Sequence, residues 1–208
     1  KNQLEEKASI CVEPCRRDTF PAIVLAAAYL HDELGVSADE AVVVCPVDPY
    51  VDITYYEAVG NLQRLAEQGY ANLTLMGIEP TYPSEKYGYI IPETGESVSK
   101  VREFKEKPDI ETAKRYLEQN ALWNAGIFAF KLGYVLEEAH KLIDFDDYRD
   151  LFAKYDTLTK ISFDYAVVEK EPSIQVLRYS GDWKDVGTLG SYWEANMELI
   201  DLIPEFNL

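Results

Sequence analysis

The chain has 208 residues, 47% of them hydrophobic and 27% charged, which is the composition of an ordinary globular protein of one domain. Its 37 acidic and 20 basic residues give a formal net charge of −17, which speaks against binding through a broad basic face, so nucleic acid is not an expected partner. No apolar run approaches the roughly 20 residues of a membrane span, and no stretch resembles a signal peptide. We therefore expect a cytoplasmic protein without a membrane partner, whose three cysteines stay reduced.

A polar loop at 13–20 is the first stretch that suggests chemistry. It leads into a helix predicted over about 18–34, which Asp18 or Thr19 can cap. The arginine pair that ends in Arg17 lies beside this helix N-terminus, an arrangement that favours an anionic ligand. The alternative is an ordinary capped helix with solvated arginines, and the local sequence favours that alternative.

A short apolar strand followed by an acid forms the centre of the predicted fold. Ala41–Cys45 is entirely apolar, which is typical of a strand buried on both faces of a parallel sheet. Pro46 ends the strand, and Asp48 follows where open α/β sheets bind their ligands. A carboxylate there can hold Mg²⁺ against a phosphate, or it can cap the helix predicted over about 53–68. The two interpretations are evenly matched.

The following elements predict a mixed α/β fold. A second apolar strand at 72–78 continues a strand–helix–strand alternation, which gives a mainly parallel sheet flanked by helices. Strands at 87–91 and 98–104 are joined by a hairpin signal and form an antiparallel excursion. Gly88 lies between two tyrosines, where a glycine lets a ligand approach the backbone, although a bulge explains it equally well.

Two later strand ends carry polar residues that suit a sugar phosphate. Glu106 can bind sugar hydroxyls, and the neighbouring Lys107 can bind a phosphate as a point charge. A charged edge strand that discourages aggregation is the alternative, and it is favoured on this feature alone. Asn124 is a poor strand former inside an aromatic strand, and it offers both a donor and an acceptor to a sugar, or it marks a turn.

The last candidates are two acids near helix starts. Asp164 lies in the first turn of a helix that Ser162 can cap, and this structural role can account for it fully. Asp185 comes shortly before Gly187 and a helix predicted from Leu189, at a turn that suits a phosphate.

Taken together, these motifs resemble the bacterial mannose-1-phosphate guanylyltransferases, a family of sugar nucleotidyltransferases with a Rossmann-like mixed α/β fold. The resemblance extends over residues 11–193. Each motif alone is a weak signal for the family, but all seven in the family's order are a specific one. The motifs are EPCRRDTFPAI, CPVDPYV, GIEPTYPSEKYGYI, FKEKP, WNAGIFAF, SFDYAVVEK and DWKDVGT.

The resemblance implies roles for the candidate residues. Asp48 in CPVDPYV and Asp185 in DWKDVGT resemble the two Mg²⁺ ligands of the family, and these acids with Lys107 are the candidate catalytic residues. Lys107 in FKEKP is similar to the family's contact to the sugar phosphate. Mg²⁺ is thus the implied cofactor.

The remaining roles concern substrate binding. Gly88 in YGYI, Glu106 in FKEKP and Asn124 in WNAGIF resemble the family's sugar contacts, and Asp164 in SFDYAVVEK joins them as a substrate-binding residue. The loop with Glu13, Pro14 and Arg17 resembles the one beside the guanine. Pro49 stands where the family commonly has His. This departure affects the expected choice of nucleotide base more than the expected class of reaction.

The implied reaction joins GTP and mannose 1-phosphate to form GDP-mannose and pyrophosphate. The family opens with a strand and a Gly-rich loop that grips the phosphates, and no stretch here matches it. The resemblance therefore predicts a single domain over 1–208 that is truncated at the N-terminus and at the C-terminus, with weak or no turnover. The sheet edge left by the absent strand could be covered by a second copy, as a homodimer.

Two alternatives remain at this point. One is another sugar-1-phosphate nucleotidyltransferase, which uses UTP, ATP, CTP or dTTP with glucose 1-phosphate. The other is a non-catalytic regulatory or scaffold relative, which the missing loop supports and the retained Asp48, Asp185 and Lys107 oppose.

Overall fold

The computed structural model of the chain describes residues 8–202. Its helices, in chain order, are α1 (Thr19–Ala28), α2 (Ile53–Gln68), α3 (Ile110–Leu117), α4 (Leu132–His140), α5 (Tyr148–Lys154), α6 (Phe163–Ala166) and α7 (Leu189–Leu202). Its strands are β1 (Ala41–Val44), β2 (Tyr50–Val51), β3 (Leu73–Ile78), β4 (Gly88–Pro92), β5 (Val98–Lys105), β6 (Leu122–Lys131), β7 (Ile174–Tyr179) and β8 (Trp183–Lys184). The chain divides into two compact units, one with residues up to 42 and 130–172, the other with 43–129 and 173 onward. The single domain stays a prediction.

The first unit is built mainly from helices. α1 packs on α4, α5 and α6, and its Phe20 ring lies 6.4 Å from that of Phe163. The side chain of Asp18 accepts a hydrogen bond from the Thr19 amide, so the predicted cap of α1 is confirmed. The helix then continues into a π-helical turn, Tyr29–Glu33, which ends before Gly35.

The second unit holds most of a six-stranded sheet in the order β1-β6-β3-β7-β5-β4, in which β4 also pairs with β6. β3 pairs in parallel with β7, while β3–β6, β5–β7, β4–β5 and β4–β6 are antiparallel. The predicted mixed sheet with flanking helices is therefore confirmed, with a larger antiparallel contribution than the sequence indicated. The hairpin strands are members of the main sheet, because β5 pairs with β7 and β4 pairs with β6.

One expectation about burial is wrong. All four residues of β1 are partly exposed, whereas its apolar sequence predicts burial on both faces. The reason is its place in the sheet, since β6 is the one neighbour it has among the described strands. The buried strand of this fold is β3, whose six residues are all buried. No helix in the described range 8–202 is both long and apolar enough to cross a membrane.

Candidate functional site

A two-stranded antiparallel ladder carries both acids that the sequence singles out. β2 pairs with β8, with Tyr50 opposite Lys184 and Val51 opposite Trp183. Asp48 comes two residues before β2, and Asp185 comes directly after β8. Because the two strands run in opposite directions, both acids leave the ladder at the same end.

The two carboxylates differ in how firmly they are held. Asp185 Oδ1 accepts a hydrogen bond from the Gly187 amide at 2.9 Å, and its Oδ2 lies 3.4 Å from the hydroxyl of Tyr87, which donates to it. Asp48 is exposed and accepts no hydrogen bond from the described residues. The pair thus combines a fixed carboxylate with one that is able to move toward a ligand.

Exposed carboxylates at one end of a ladder are donors that suit Mg²⁺. This ion prefers oxygen ligands and usually keeps several waters, so it binds through one or two carboxylates and substrate phosphates. Within the described part of the chain, no cluster of three or more His, Cys, Asp or Glu side chains could hold a metal by itself. The chemistry of Asp48 and Asp185 therefore fits an ion that completes its coordination with water and phosphate, and their role as its ligands stays a prediction.

Three sugar-binding candidates come together where β4, β5 and β6 meet. Gly88 on β4 lies opposite Asn124 on β6. A Cβ added at Gly88 would lie 2.6 Å from Glu106 Oε2 and 3.3 Å from the Asn124 Cβ. Glu106 and Asn124 are each 6% exposed. A carboxylate, an amide and a bare backbone thus form one buried polar wall, which we call the β4–β6 wall.

Lys107 lies at the rim of the β4–β6 wall. Its ammonium pairs with Glu106 Oε1 at 3.0 Å, and its side chain is 55% exposed against 5% for Glu106. The Lys107 backbone has φ of 44°, in the left-handed region that side chains other than glycine rarely adopt. Such strain persists only where the surroundings impose it, and it clusters at functional sites. The sequence did not predict this positive φ. It indicated only that Lys107 would avoid the ordinary helical region, because Pro108 follows it.

The residues predicted beside the guanine lie in the first unit and are bound to one segment of it. Glu13 Oε2 accepts a hydrogen bond from the Tyr155 hydroxyl at 2.8 Å. The Arg17 guanidinium donates to the backbone carbonyls of Tyr155 and Asp156. Arg17 is therefore not a solvated arginine, because it fixes the loop to this segment. Pro14 is exposed between them.

Asp164 occupies the position that the sequence predicts, in the first turn of α6. The Ser162 side chain accepts a hydrogen bond from the Tyr165 amide, so the predicted cap is confirmed. The contact of Asp164 with a substrate stays a prediction.

Sequence reasoning missed an aromatic cluster beside Asp185. The Tyr87 ring lies 4.8 Å from that of Trp123 and 5.8 Å from that of Trp183. Burial, and then the charge of Asp185, raise the pKa of Tyr87. The only sequence signals were the tyrosines around Gly88 and the tryptophans in WNAGIF and DWKDVGT, which are equally typical of a core.

A second missed feature is the role of Asp52, which caps α2, so the alternative that Asp48 caps this helix is wrong. Its side chain accepts hydrogen bonds from the Thr54 amide at 2.6 Å and from the Asp182 amide at 2.9 Å. The hydroxyl of Thr54, the Asp182 amide and further hydrogen bonds lower the pKa of Asp52 to about 2. One carboxylate thus joins the start of α2 to the segment that enters β8.

Comparison with known sequences places the chain among nucleotidyl transferases. A family model described as nucleotidyl transferase matches residues 1–201. A mannose-1-phosphate guanylyltransferase of Sinorhizobium fredii is 32% identical over 215 residues, which cover 93% of this chain and 41% of that protein. The alginate biosynthesis protein AlgA of Pseudomonas aeruginosa is 32% identical over 212 residues, which cover 90% of this chain and 43% of AlgA. The chain spans less than half the length of these curated relatives.

Comparison with solved structures supports the fold. A Thermus thermophilus protein described as a mannose-1-phosphate geranyltransferase superposes with a TM-score of 0.76 and 29% identity, over 98% of this chain and 61% of that one. A UDP-glucose pyrophosphorylase complexed with UDP-glucose superposes with a TM-score of 0.63 over 92% of this chain and 66% of that one. At 16% identity the latter shows a likeness of fold alone. The predicted nucleotidyltransferase type of α/β fold is confirmed.

Proposed function

The chain belongs to the nucleotidyl transferase family, and on that premise we propose that it forms the sugar-binding and metal-binding part of a mannose-1-phosphate guanylyltransferase. The proposal is supported by relatives of that name, which match over about nine-tenths of the chain, as the 93% coverage of the Sinorhizobium fredii protein illustrates. The proposed reaction converts GTP and mannose 1-phosphate into GDP-mannose and pyrophosphate.

The observation that carries the proposal is the β4–β6 wall. A buried carboxylate and a buried amide, Glu106 and Asn124, face a glycine whose missing side chain leaves room beside its backbone. Sugar hydroxyls both donate and accept hydrogen bonds, so a carboxylate acceptor beside an amide suits them. The ammonium of Lys107 at the rim of the wall suits a phosphate attached to that sugar.

The proposed reaction is an in-line substitution at the α-phosphorus of GTP. A phosphate oxygen of mannose 1-phosphate forms the new bond to this phosphorus, while the bond to the bridging oxygen breaks and pyrophosphate leaves with the electron pair. The protein's task is to hold two mutually repelling anions in line, which is catalysis by positioning and charge stabilisation. Glu106 and Asn124 orient the sugar, and Lys107 offsets the charge of its phosphate.

Asp48 and Asp185 would hold the divalent ion. When bound, Mg²⁺ neutralises phosphate charge and acts as a Lewis acid toward the reacting phosphoryl group. Asp185, whose carboxylate is already held by hydrogen bonds, and the exposed Asp48 would each supply carboxylate oxygen to the ion. No proton transfer from the protein is needed, because the attacking phosphate oxygen is already anionic and the bridging oxygen leaves as part of pyrophosphate, a stable anion.

Ligand binding to this chain tests the proposal without requiring turnover. Thermal shift and calorimetry with Mg²⁺ would compare GTP, UTP, ATP, CTP and dTTP, each with mannose 1-phosphate or glucose 1-phosphate. We expect mannose 1-phosphate to stabilise the protein, and Glu106→Gln to weaken its binding by about tenfold through loss of a charged hydrogen-bond acceptor. The matched control is Glu103→Gln in β5, three residues before Glu106, whose carboxylate accepts a hydrogen bond from Tyr116 instead, and its binding of mannose 1-phosphate should be unchanged.

The alternatives give different results in the same experiment. Greater stabilisation by UTP with glucose 1-phosphate would assign the chain to another sugar nucleotide. A scaffold relative would show no Mg²⁺-dependent stabilisation, and Asp48→Asn would then change nothing. In the proposed enzyme, Asp48→Asn abolishes the Mg²⁺-dependent part of the stabilisation.

A further inference from the structure

We propose that Tyr87 positions the carboxylate of Asp185 and thereby couples the metal site to the β4–β6 wall. The inference rests on the proposed function in one respect, the role of Asp185 as a ligand of the divalent ion. The proposed role of Tyr87 requires no contact with the metal or the sugar. It acts through Asp185.

The contacts of Asp185 define what Tyr87 contributes. The Gly187 amide holds Oδ1 at 2.9 Å, and the Tyr87 hydroxyl lies 3.4 Å from Oδ2. A carboxylate with a donor on each oxygen cannot rotate freely, and its remaining lone pairs point away from those donors. Carboxylates that ligate metals are usually oriented by such outer hydrogen bonds, which also tune their affinity.

The Tyr87 hydroxyl is a suitable donor because a phenol O–H has one proton to donate and carries no charge. A neutral phenol can steer a carboxylate without competing for it as a second cation would.

The Tyr87 ring fixes where its hydroxyl lies. It packs against Trp123 on β6 and against Trp183 on β8, with ring centroids 4.8 Å and 5.8 Å away. The indole N–H groups of Trp123 and Trp183 are buried and find no hydrogen-bond partner in the described part of the chain. The two indole rings are therefore positioned by packing and not by a hydrogen bond from their N–H groups. Both of them contact the Tyr87 ring.

The same side chain spans the two halves of the proposed site. Tyr87 precedes Gly88, and Trp123 precedes Asn124, so the ring contact joins the strands that form the β4–β6 wall. On its other side, Trp183 lies two residues before Asp185. If sugar binding shifts the β4–β6 wall, the Tyr87 hydroxyl that donates to Asp185 would therefore shift with it.

The test measures Mn²⁺ affinity by electron paramagnetic resonance, with thermal unfolding as a check on stability. Tyr87→Phe removes the hydroxyl and keeps the ring, and we expect Mn²⁺ to bind about 5- to 10-fold more weakly with the melting temperature unchanged. Tyr116→Phe is the matched control, because it removes a hydroxyl that donates to another carboxylate, Glu103. Its Mn²⁺ affinity should equal that of the unaltered chain.

A second variant, at Gly187, tests whether the orientation of the Asp185 carboxylate matters by disturbing its other oxygen, Oδ1. A Cβ added at Gly187 would lie 3.0 Å from Asp185 Oδ1, so Gly187→Ala must displace the carboxylate slightly and should also weaken Mn²⁺ binding. If Asp185→Asn weakens binding while Tyr87→Phe and Gly187→Ala do not, the inference is overturned and the proposed function stands. If Asp185→Asn has no effect, the metal role of Asp185 fails, and the inference fails with it.

Discussion

Glu106 and Lys107 are adjacent in the sequence, but their side chains differ greatly in exposure to solvent. The carboxylate is buried and the ammonium is half-exposed, so the pair directs one charge into the β4–β6 wall and the other toward solvent. Burying a carboxylate is costly unless it is paired and hydrogen-bonded, and the adjacent Lys107 supplies the pairing. The backbone of Lys107 lies in the strained left-handed region at this ion pair.

The glycine of this wall gives a prediction at the residue scale. Gly88→Ala places a methyl 2.6 Å from Glu106 Oε2, so we expect a loss of about 1–3 kcal/mol in the free energy of unfolding and weaker binding of mannose 1-phosphate. Gly95→Ala is the matched control, since Gly95 lies in the β4–β5 turn with nothing within 4 Å of an added Cβ. Urea unfolding and calorimetry measure both effects. Equal stability of the two variants would contradict the close approach at Gly88.

At the scale of elements, the short β2–β8 ladder depends on a neighbouring helix cap. Two residue pairs cannot hold a ladder alone, and Asp52 adds bonds at its end opposite the two candidate metal ligands. The Asp52 amide also donates to the Asp182 carbonyl. The cap of α2 is thus also a brace for the strands that carry Asp48 and Asp185.

This brace predicts a pH-dependent stability. The folded pKa of Asp52 is about 2, below its ordinary value of 3.8, so its contribution is present above pH 4 and is lost as the pH falls from about 4 to 2. We expect Asp52→Ala to lower the melting temperature by about 2–4 °C at pH 7 and by much less near pH 2, where folded Asp52 is about half protonated.

The control for the brace is a cap that serves its helix alone. Asp109 caps α3 through the Thr112 amide, which also lowers its pKa, so the loss of melting temperature in Asp109→Ala should likewise shrink as the pH falls into the acid range. Only Asp52→Ala should also weaken Mn²⁺ binding. If the two variants bind Mn²⁺ equally well, Asp52 is an ordinary cap.

At the scale of the whole molecule, local signals in the sequence predicted the helices, strands and caps. Contacts between distant residues and the burial of each strand depend on long-range pairing, which local signals do not encode. Asp18 and Ser162 were identifiable as cap residues because capping depends on the next few residues. The contact of Tyr87 with Asp185 joins residues 98 positions apart, which no local pattern encodes. The exposure of β1 was mispredicted for the same reason, since burial depends on the strand order of the sheet.

The net charge gives a further prediction at this scale. A chain with a formal charge of −17 attracts divalent cations before any specific contact forms, and this attraction is screened by salt. The field of the whole molecule and the local charge of Asp48 and Asp185 have the same sign, so screening weakens both. We expect the dissociation constant for Mn²⁺ to rise roughly 3- to 10-fold between about 10 mM and about 150 mM KCl.

A single remote acid separates the general field from the site. Glu96 lies in the turn at the far end of the β4–β5 hairpin from Gly88, so Glu96→Gln removes one charge and leaves the ladder untouched. Its Mn²⁺ affinity should change by less than about twofold, while Asp185→Asn should lose most of the affinity at every salt concentration. Binding that responds equally to both substitutions would mean that Mn²⁺ is held by the overall charge and not by the end of the β2–β8 ladder.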